Sequence, residues 1–85
     1  MATRTVVVTA AEGLHARSAA LVVRLATQLP TRVTIRRPDG APVPTTSILS
    51  VLALGVGPGD QVVLEADGPE AEAAVDALAA QLTGT

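Results

Sequence analysis

Residues 5–26 read TVVVTAAEGLHARSAALVVRLA, and this stretch decides how the chain begins to fold. Its first part, residues 5–9, is rich in β-branched residues and is typical of a strand. Its last part, residues 19–26, has small and apolar residues at the spacing of a helix. Between them lies Gly13-Leu14-His15-Ala16-Arg17, where we expect a short turn and then a helix start. The only histidine among 85 residues therefore lies at the predicted beginning of the first helix.

This helix start has the chemistry of an anion site. The first backbone N–H groups of a helix have no partner within the helix, and the helix dipole adds positive charge there. The N–H groups of Ala16 and Arg17 would face an anion, and the Arg17 guanidinium would match two phosphate oxygens at once. The neutral imidazole of His15 is a nucleophile, and Gly13 is expected to allow a sharp turn and keep bulk away from an approaching partner. The pattern favours a phosphoryl group carried on His15, the alternative being a surface histidine without a chemical role.

The hydrophobic pattern of the whole chain predicts an α+β fold. We predict strands at residues 3–9, 32–36, 41–44 and 61–66, helices at 16–28 and 48–54, and a last helix that residues 67–70 open. Pro30 should end the first helix, and the prolines in 41–44 place that strand at a sheet edge. The expected architecture is βαββαβα, a two-layer open-faced sandwich with three helices on one face of a four-stranded antiparallel sheet. Residues 1–85 would form one domain.

Composition excludes several classes of partner and site. The formal charge of -2 and the absence of aromatic residues argue against binding to nucleic acid. The chain has no cysteine, so disulfides and thiolate metal sites are excluded, and a cytoplasmic location is compatible. It has neither a signal peptide pattern nor a run of ~18 apolar residues that could span a membrane.

Two segments resemble one known family. Residues 13–19, GLHARSA, resemble the signature Gly-(Leu/Ile)-His-(Ala/Thr)-Arg-Pro-Ala of HPr, the histidine-containing phosphocarrier of the bacterial phosphoenolpyruvate-dependent sugar phosphotransferase system. Residues 47–55, SILSVLALG, are similar to the serine-headed second helix of that family and its following glycine. Chain length and predicted element order agree as well, so the resemblance covers essentially the whole chain.

The resemblance implies a specific transfer reaction. His15 would accept a phosphoryl group on Nδ1 from phosphorylated enzyme I and pass it to a histidine of a sugar-specific enzyme IIA, while Arg17 orients the group. The protein would be a cytoplasmic monomer without cofactor or metal, and a stoichiometric carrier rather than an enzyme.

Further residues receive roles from the same resemblance. Ile48, Leu49 and Leu52 would form the surface on which both partners dock, and we expect Leu49 and Leu52 to be exposed. Arg24 would either add charge complementarity to acidic partners or be an ordinary solvated helix arginine. Ser47 matches the serine that a regulatory kinase modifies in some Gram-positive members, whereas its residue type favours the simpler role of a helix cap.

One position departs from the family signature. Ser18 stands where the family has proline, and serine restores a backbone N–H and adds a hydroxyl. We expect the anion site to remain intact but less rigid, which affects the transfer rate or the choice of partners. Two other functions stay open: a regulatory HPr paralogue of a nitrogen-related branch, and a small α+β binding module that is never phosphorylated.

Overall fold

Seven elements follow one another in the predicted order in a computed structural model, which describes residues 1–9 and 12–83. The strands are β1 (Ala2–Val7), β2 (Val33–Arg36), β3 (Val43–Pro44) and β4 (Gln61–Ala66). The helices are α1 (Ala16–Gln28), α2 (Ile48–Ala53) and α3 (Ala71–Leu82). The predicted α+β architecture, βαββαβα, is confirmed.

The four strands form one antiparallel sheet in the order β1-β4-β2-β3. Strand β4 is central, and its residue Leu64 lies opposite Ile35 of β2. Both side chains are fully buried on the face that the helices cover. Pro44 lies in the two-residue edge strand β3, where its missing N–H costs no ladder hydrogen bond.

Aliphatic side chains alone fill the hydrophobic core between sheet and helices. Helix α1 buries Ala19, Val22 and Ala26, with Leu25 and Leu29 partly buried beside them, which agrees with the helical spacing of apolar residues in 19–26. Helix α3 buries six residues against the sheet: Ala71, Ala74, Val75, Leu78, Ala79 and Leu82. Close packing of branched side chains therefore takes the place of aromatic residues in stabilising the fold.

Two element ends show how tertiary contacts and proline set boundaries. Strand β1 ends two residues earlier than predicted, because Val8 binds the loop before β4 through its N–H to the Asp60 carbonyl at 2.9 Å and its carbonyl to the Gly59 N–H at 2.8 Å. Helix α1 ends at Gln28 as predicted, and Leu29 is extended because the following Pro30 disfavours the helical conformation there. Among the described residues, no helix is long and apolar enough to cross a membrane.

Candidate functional site

The lone histidine lies at the start of α1, as predicted. His15 is the N-cap residue, with extended backbone angles of φ -113° and ψ -173°, and its side chain is 41% exposed. Its carbonyl accepts the first helical hydrogen bond, from the N–H of Ala19 at 2.8 Å. Within residues 1–9 and 12–83, the N–H groups of Ala16 and Arg17 have no acceptor. An imidazole in contact with solvent therefore lies beside two free donors.

The serine that departs from the family signature braces the turn at the histidine. The Ser18 hydroxyl donates to the Gly13 carbonyl at 2.8 Å and accepts from the backbone N–H of His15 at 3.1 Å. The second contact is one half of a capping box. In the other half of the box, the Ser18 N–H approaches the imidazole, but it forms no cap hydrogen bond with it. The hydroxyl thus links Gly13 to the backbone of His15, and the lower rigidity expected without proline stays a prediction.

Gly13 allows the sharp turn that was expected of it, and its missing side chain has a second consequence. It adopts φ +71°, a left-handed conformation that glycine tolerates best. A Cβ atom at this position would lie 2.5 Å from the Val56 carbonyl oxygen and 2.7 Å from the Gly57 Cα. The missing side chain therefore makes room for the protein's own backbone, and the idea that it leaves room for a partner has no support in these contacts.

The loop before β4 is hydrogen-bonded to the turn that contains His15. The N–H of Leu14 donates to the Val56 carbonyl at 2.9 Å. One residue on, the N–H of Gly57 donates to the Asp60 side chain at 2.9 Å, and the same carboxylate oxygen lies 3.5 Å from the Arg37 guanidinium. The sequence analysis did not predict this contact, because nothing in the local pattern of residues 57–60 shows which segment they pack against.

Helix α1 has two exposed arginines, one of them two residues after the histidine. Within the described residues, neither Arg17 nor Arg24 has an acidic partner, and α1 has no acidic residue in its first turn. Arg17 follows His15 by two residues, so its guanidinium can reach an anion held by the first-turn N–H groups. Arg24 lies further along the helix, where it contributes positive charge without direct contact to the imidazole.

Glu12 is a neighbour of the histidine that the sequence analysis missed. Its Oε1 lies 2.8 Å from Nε2 of His15, while its side chain is 74% exposed. Nδ1 is therefore the ring nitrogen that this carboxylate does not contact. The signal was an acidic residue three positions before the only histidine, but the glycine between them hides how the chain folds back.

Helix α2 presents the predicted apolar surface in part. Leu49 is 78% exposed and Ile48 38% exposed, whereas Leu52 is partly buried against the core. The expected exposure is thus confirmed for Leu49, and Leu52 contributes to the packing of the core. Ser47 is the N-cap of α2: its hydroxyl accepts from the Ser50 N–H at 3.3 Å, which is the capping role its residue type favoured.

Comparisons with known proteins agree with this arrangement. Residues 2–83 match the family model described as "PTS HPr component phosphorylation site". The chain is 51% identical over 79 residues to the phosphocarrier protein HPr of Streptomyces coelicolor, covering 93% of this chain and 85% of that one. It is 46% identical over 76 residues to the phosphocarrier protein HPr of Haloferax volcanii, covering 88% and 85%.

A solved structure shares the fold over nearly the whole chain. The crystal structure of a phosphocarrier protein HPr from Bacillus anthracis str. Ames superposes with a TM-score of 0.89 at 34% identity, covering 95% of each chain. The family match, the similar relatives and the shared fold lead to one conclusion: the chain belongs to the HPr family of phosphocarrier proteins of the phosphotransferase system.

Proposed function

We propose that this protein carries a phosphoryl group on Nδ1 of His15, accepting it from phosphorylated enzyme I and passing it to a histidine of a sugar-specific enzyme IIA in the cytoplasm. The observation that supports this most is the placement of the only imidazole. It is partly exposed, it belongs to the N-cap residue of α1, and it lies beside the N–H groups of Ala16 and Arg17, which have no acceptor among the described residues. The protein acts as a stoichiometric intermediate and requires no metal or cofactor of its own.

The proposed reaction requires the site mainly to position the phosphoryl group and to stabilise its negative charge. Phosphoryl transfer is helped by donors that bind the equatorial oxygens as charge develops on them. The N–H groups of Ala16 and Arg17 begin the helix next to His15, and the Arg17 guanidinium, which has no acidic partner among the described residues, supplies two further donors. We infer that Arg17 orients the phosphoryl group during both transfers.

Docking of both partners is proposed for the exposed apolar residues of α2. Leu49 and Ile48 lie on a helix that packs against α1, and Leu52 of the same helix is partly buried against the core. A small apolar patch suits an association that must be brief, because little area is buried. Arg24 adds positive charge for an acidic partner surface. Ser47 matches the serine that a regulatory kinase modifies in some members, but the role we favour is the cap of α2 that its hydroxyl forms.

The test is a phosphotransfer assay read by intact-protein mass spectrometry. Phosphoenolpyruvate and enzyme I should add one phosphate, labile in acid, to the parent protein and none to His15→Ala. Adding enzyme IIA should remove it. An unchanged mass of the parent would favour a binding module, and labelling of His15→Ala would show that the site is wrong. Labelling by a nitrogen-type enzyme I alone would favour the regulatory branch.

A further inference from the structure

Glu12 lies where it can control the chemistry of the histidine ring. Its carboxylate oxygen is 2.8 Å from Nε2 of His15, the nitrogen that the proposed transfer does not use. At that separation two lone pairs would repel, so a proton on Nε2 is the arrangement that makes the contact favourable. The ring nitrogen that lacks a proton is then Nδ1.

We propose that Glu12 is a positioning residue that keeps the proton of His15 on Nε2 and so presents the Nδ1 lone pair to the phosphoryl donor. This inference rests on the proposed function and adds a residue to it. A carboxylate can only accept a hydrogen bond, so it selects one tautomer of the neutral imidazole. The Ser18 N–H approaches the imidazole in the arrangement of a capping box without a cap hydrogen bond, so Glu12 is the partner with a short contact to the ring among the described residues.

The same contact assists the transfer step itself. The Nδ1 lone pair forms the new bond to phosphorus, and the bond from phosphorus to the donor breaks with its electron pair remaining on the donor. Nε2 keeps its proton, so the ring gains positive charge as the bond forms. The Glu12 carboxylate stabilises that charge from the Nε2 side of the ring, away from the incoming phosphoryl group.

The magnitude is limited by solvent, because the Glu12 side chain is 74% exposed. Exposed ion pairs contribute little, so removing the charge should lower the turnover of phosphorylation by about two- to fivefold. Glu12→Gln is the informative variant, since its amide can either donate to or accept from Nε2 and no longer selects a tautomer. Glu12→Asp keeps the charge and should retain part of the effect. Glu70→Gln makes the same charge change before α3, at the opposite end of β4, and is the matched control.

Two measurements on the full-length protein test the inference. The ¹⁵N spectrum of the ring reports which nitrogen carries the proton: the parent and Glu70→Gln should show protonated Nε2, and Glu12→Gln an increased share of the Nδ1-protonated form. With enzyme I, Glu12→Gln should lower kcat while the KM for this protein changes little.

The outcomes separate this inference from the proposed function. Unchanged tautomers and kcat in Glu12→Gln, with the parent phosphorylated normally, would overturn the role of Glu12 alone. A change confined to KM would also overturn it, because it would place Glu12 in docking. If the parent were not phosphorylated at all, the proposed function would fail, and the ring spectra would still decide whether Glu12 selects the tautomer.

Discussion

Replacing Gly13 by alanine should cost far more stability than replacing Gly55, although both glycines have nearly the same backbone conformation. Gly13 has φ +71° and Gly55 φ +66°. A Cβ at Gly55 would meet nothing within 4 Å, whereas one at Gly13 would lie 2.5 Å from the Val56 carbonyl oxygen. The pair therefore separates the cost of a left-handed alanine from the cost of a backbone clash.

The expected magnitudes follow from these contacts. A left-handed alanine costs about 1 kcal/mol, which is the whole expected loss for Gly55→Ala. Gly13→Ala must also push away the Val56–Gly57 backbone and weaken the hydrogen bond from the Leu14 N–H to Val56, which adds about 2 kcal/mol. A domain of this size loses about 4–8 °C of Tm per kcal/mol. We therefore expect Tm to fall by about 5 °C in Gly55→Ala and by about 15 °C or more in Gly13→Ala.

Thermal and urea unfolding followed by circular dichroism would measure both losses. Below its own Tm, Gly13→Ala should also be phosphorylated more slowly than Gly55→Ala, because the displaced turn carries His15. Equal losses of stability in the two variants would refute the reasoning, since the contact of the turn with the loop before β4 would then carry no free energy.

Three further substitutions probe single contacts. Ser18→Ala removes the hydroxyl bonds across the histidine turn and should cost about 1 kcal/mol of unfolding free energy, measured in urea; an unchanged midpoint would show that the hydroxyl does not brace the turn. Thr45→Val removes a fully buried hydroxyl that donates to the Val33 carbonyl at 2.8 Å, and should lower the free energy of unfolding by about 1–2 kcal/mol; a stability equal to that of the parent would contradict this role. Leu49→Ser should change Tm by no more than about 2 °C, because the side chain is 78% exposed. The same variant should raise the Kd for enzyme I, measured by titration calorimetry, and an unaltered Kd would remove Leu49 from the docking surface.

The elements that sequence predicted best are those with strong local signals. Helix α1 has an apolar stripe and a proline two residues after its last residue, so both its extent and its buried face could be predicted. Strand β1 was predicted too long because its end depends on hydrogen bonds between Val8 and the loop before β4, fifty residues away in sequence. A local pattern contains no information about such a contact.

The same distinction holds for the candidate site: some residue roles could be predicted from the local sequence and others could not. The position of His15 at a helix start follows from the local change from strand to helix pattern, and the capping role of Ser47 from residue type. The functions of Gly13, Glu12 and Ser18 do not follow from the local sequence. Each depends on which atoms the turn brings together. Proline stiffens a chain through its own ring, whereas Ser18 acts through bonds to atoms that the sequence does not place near it.

The formal charge of -2 conceals a division of charge that matters at the site. Helix α1 carries two arginines and no acidic residue, whereas α3 carries two acidic residues and no basic one. A phosphoryl group on a side chain brings about -1.5 to -2 charges, and interactions between exposed charges fall off over about 8–10 Å in physiological salt. The group on His15 would therefore interact chiefly with Arg17, the N-terminus of α1 and the opposing charge of Glu12. Because Glu12 faces the far nitrogen of the ring, its repulsion of the phosphoryl group is weaker than the attraction from donors that contact the oxygens directly. The local field, and not the net charge, is thus what suits this surface to carrying an anion that it must later release.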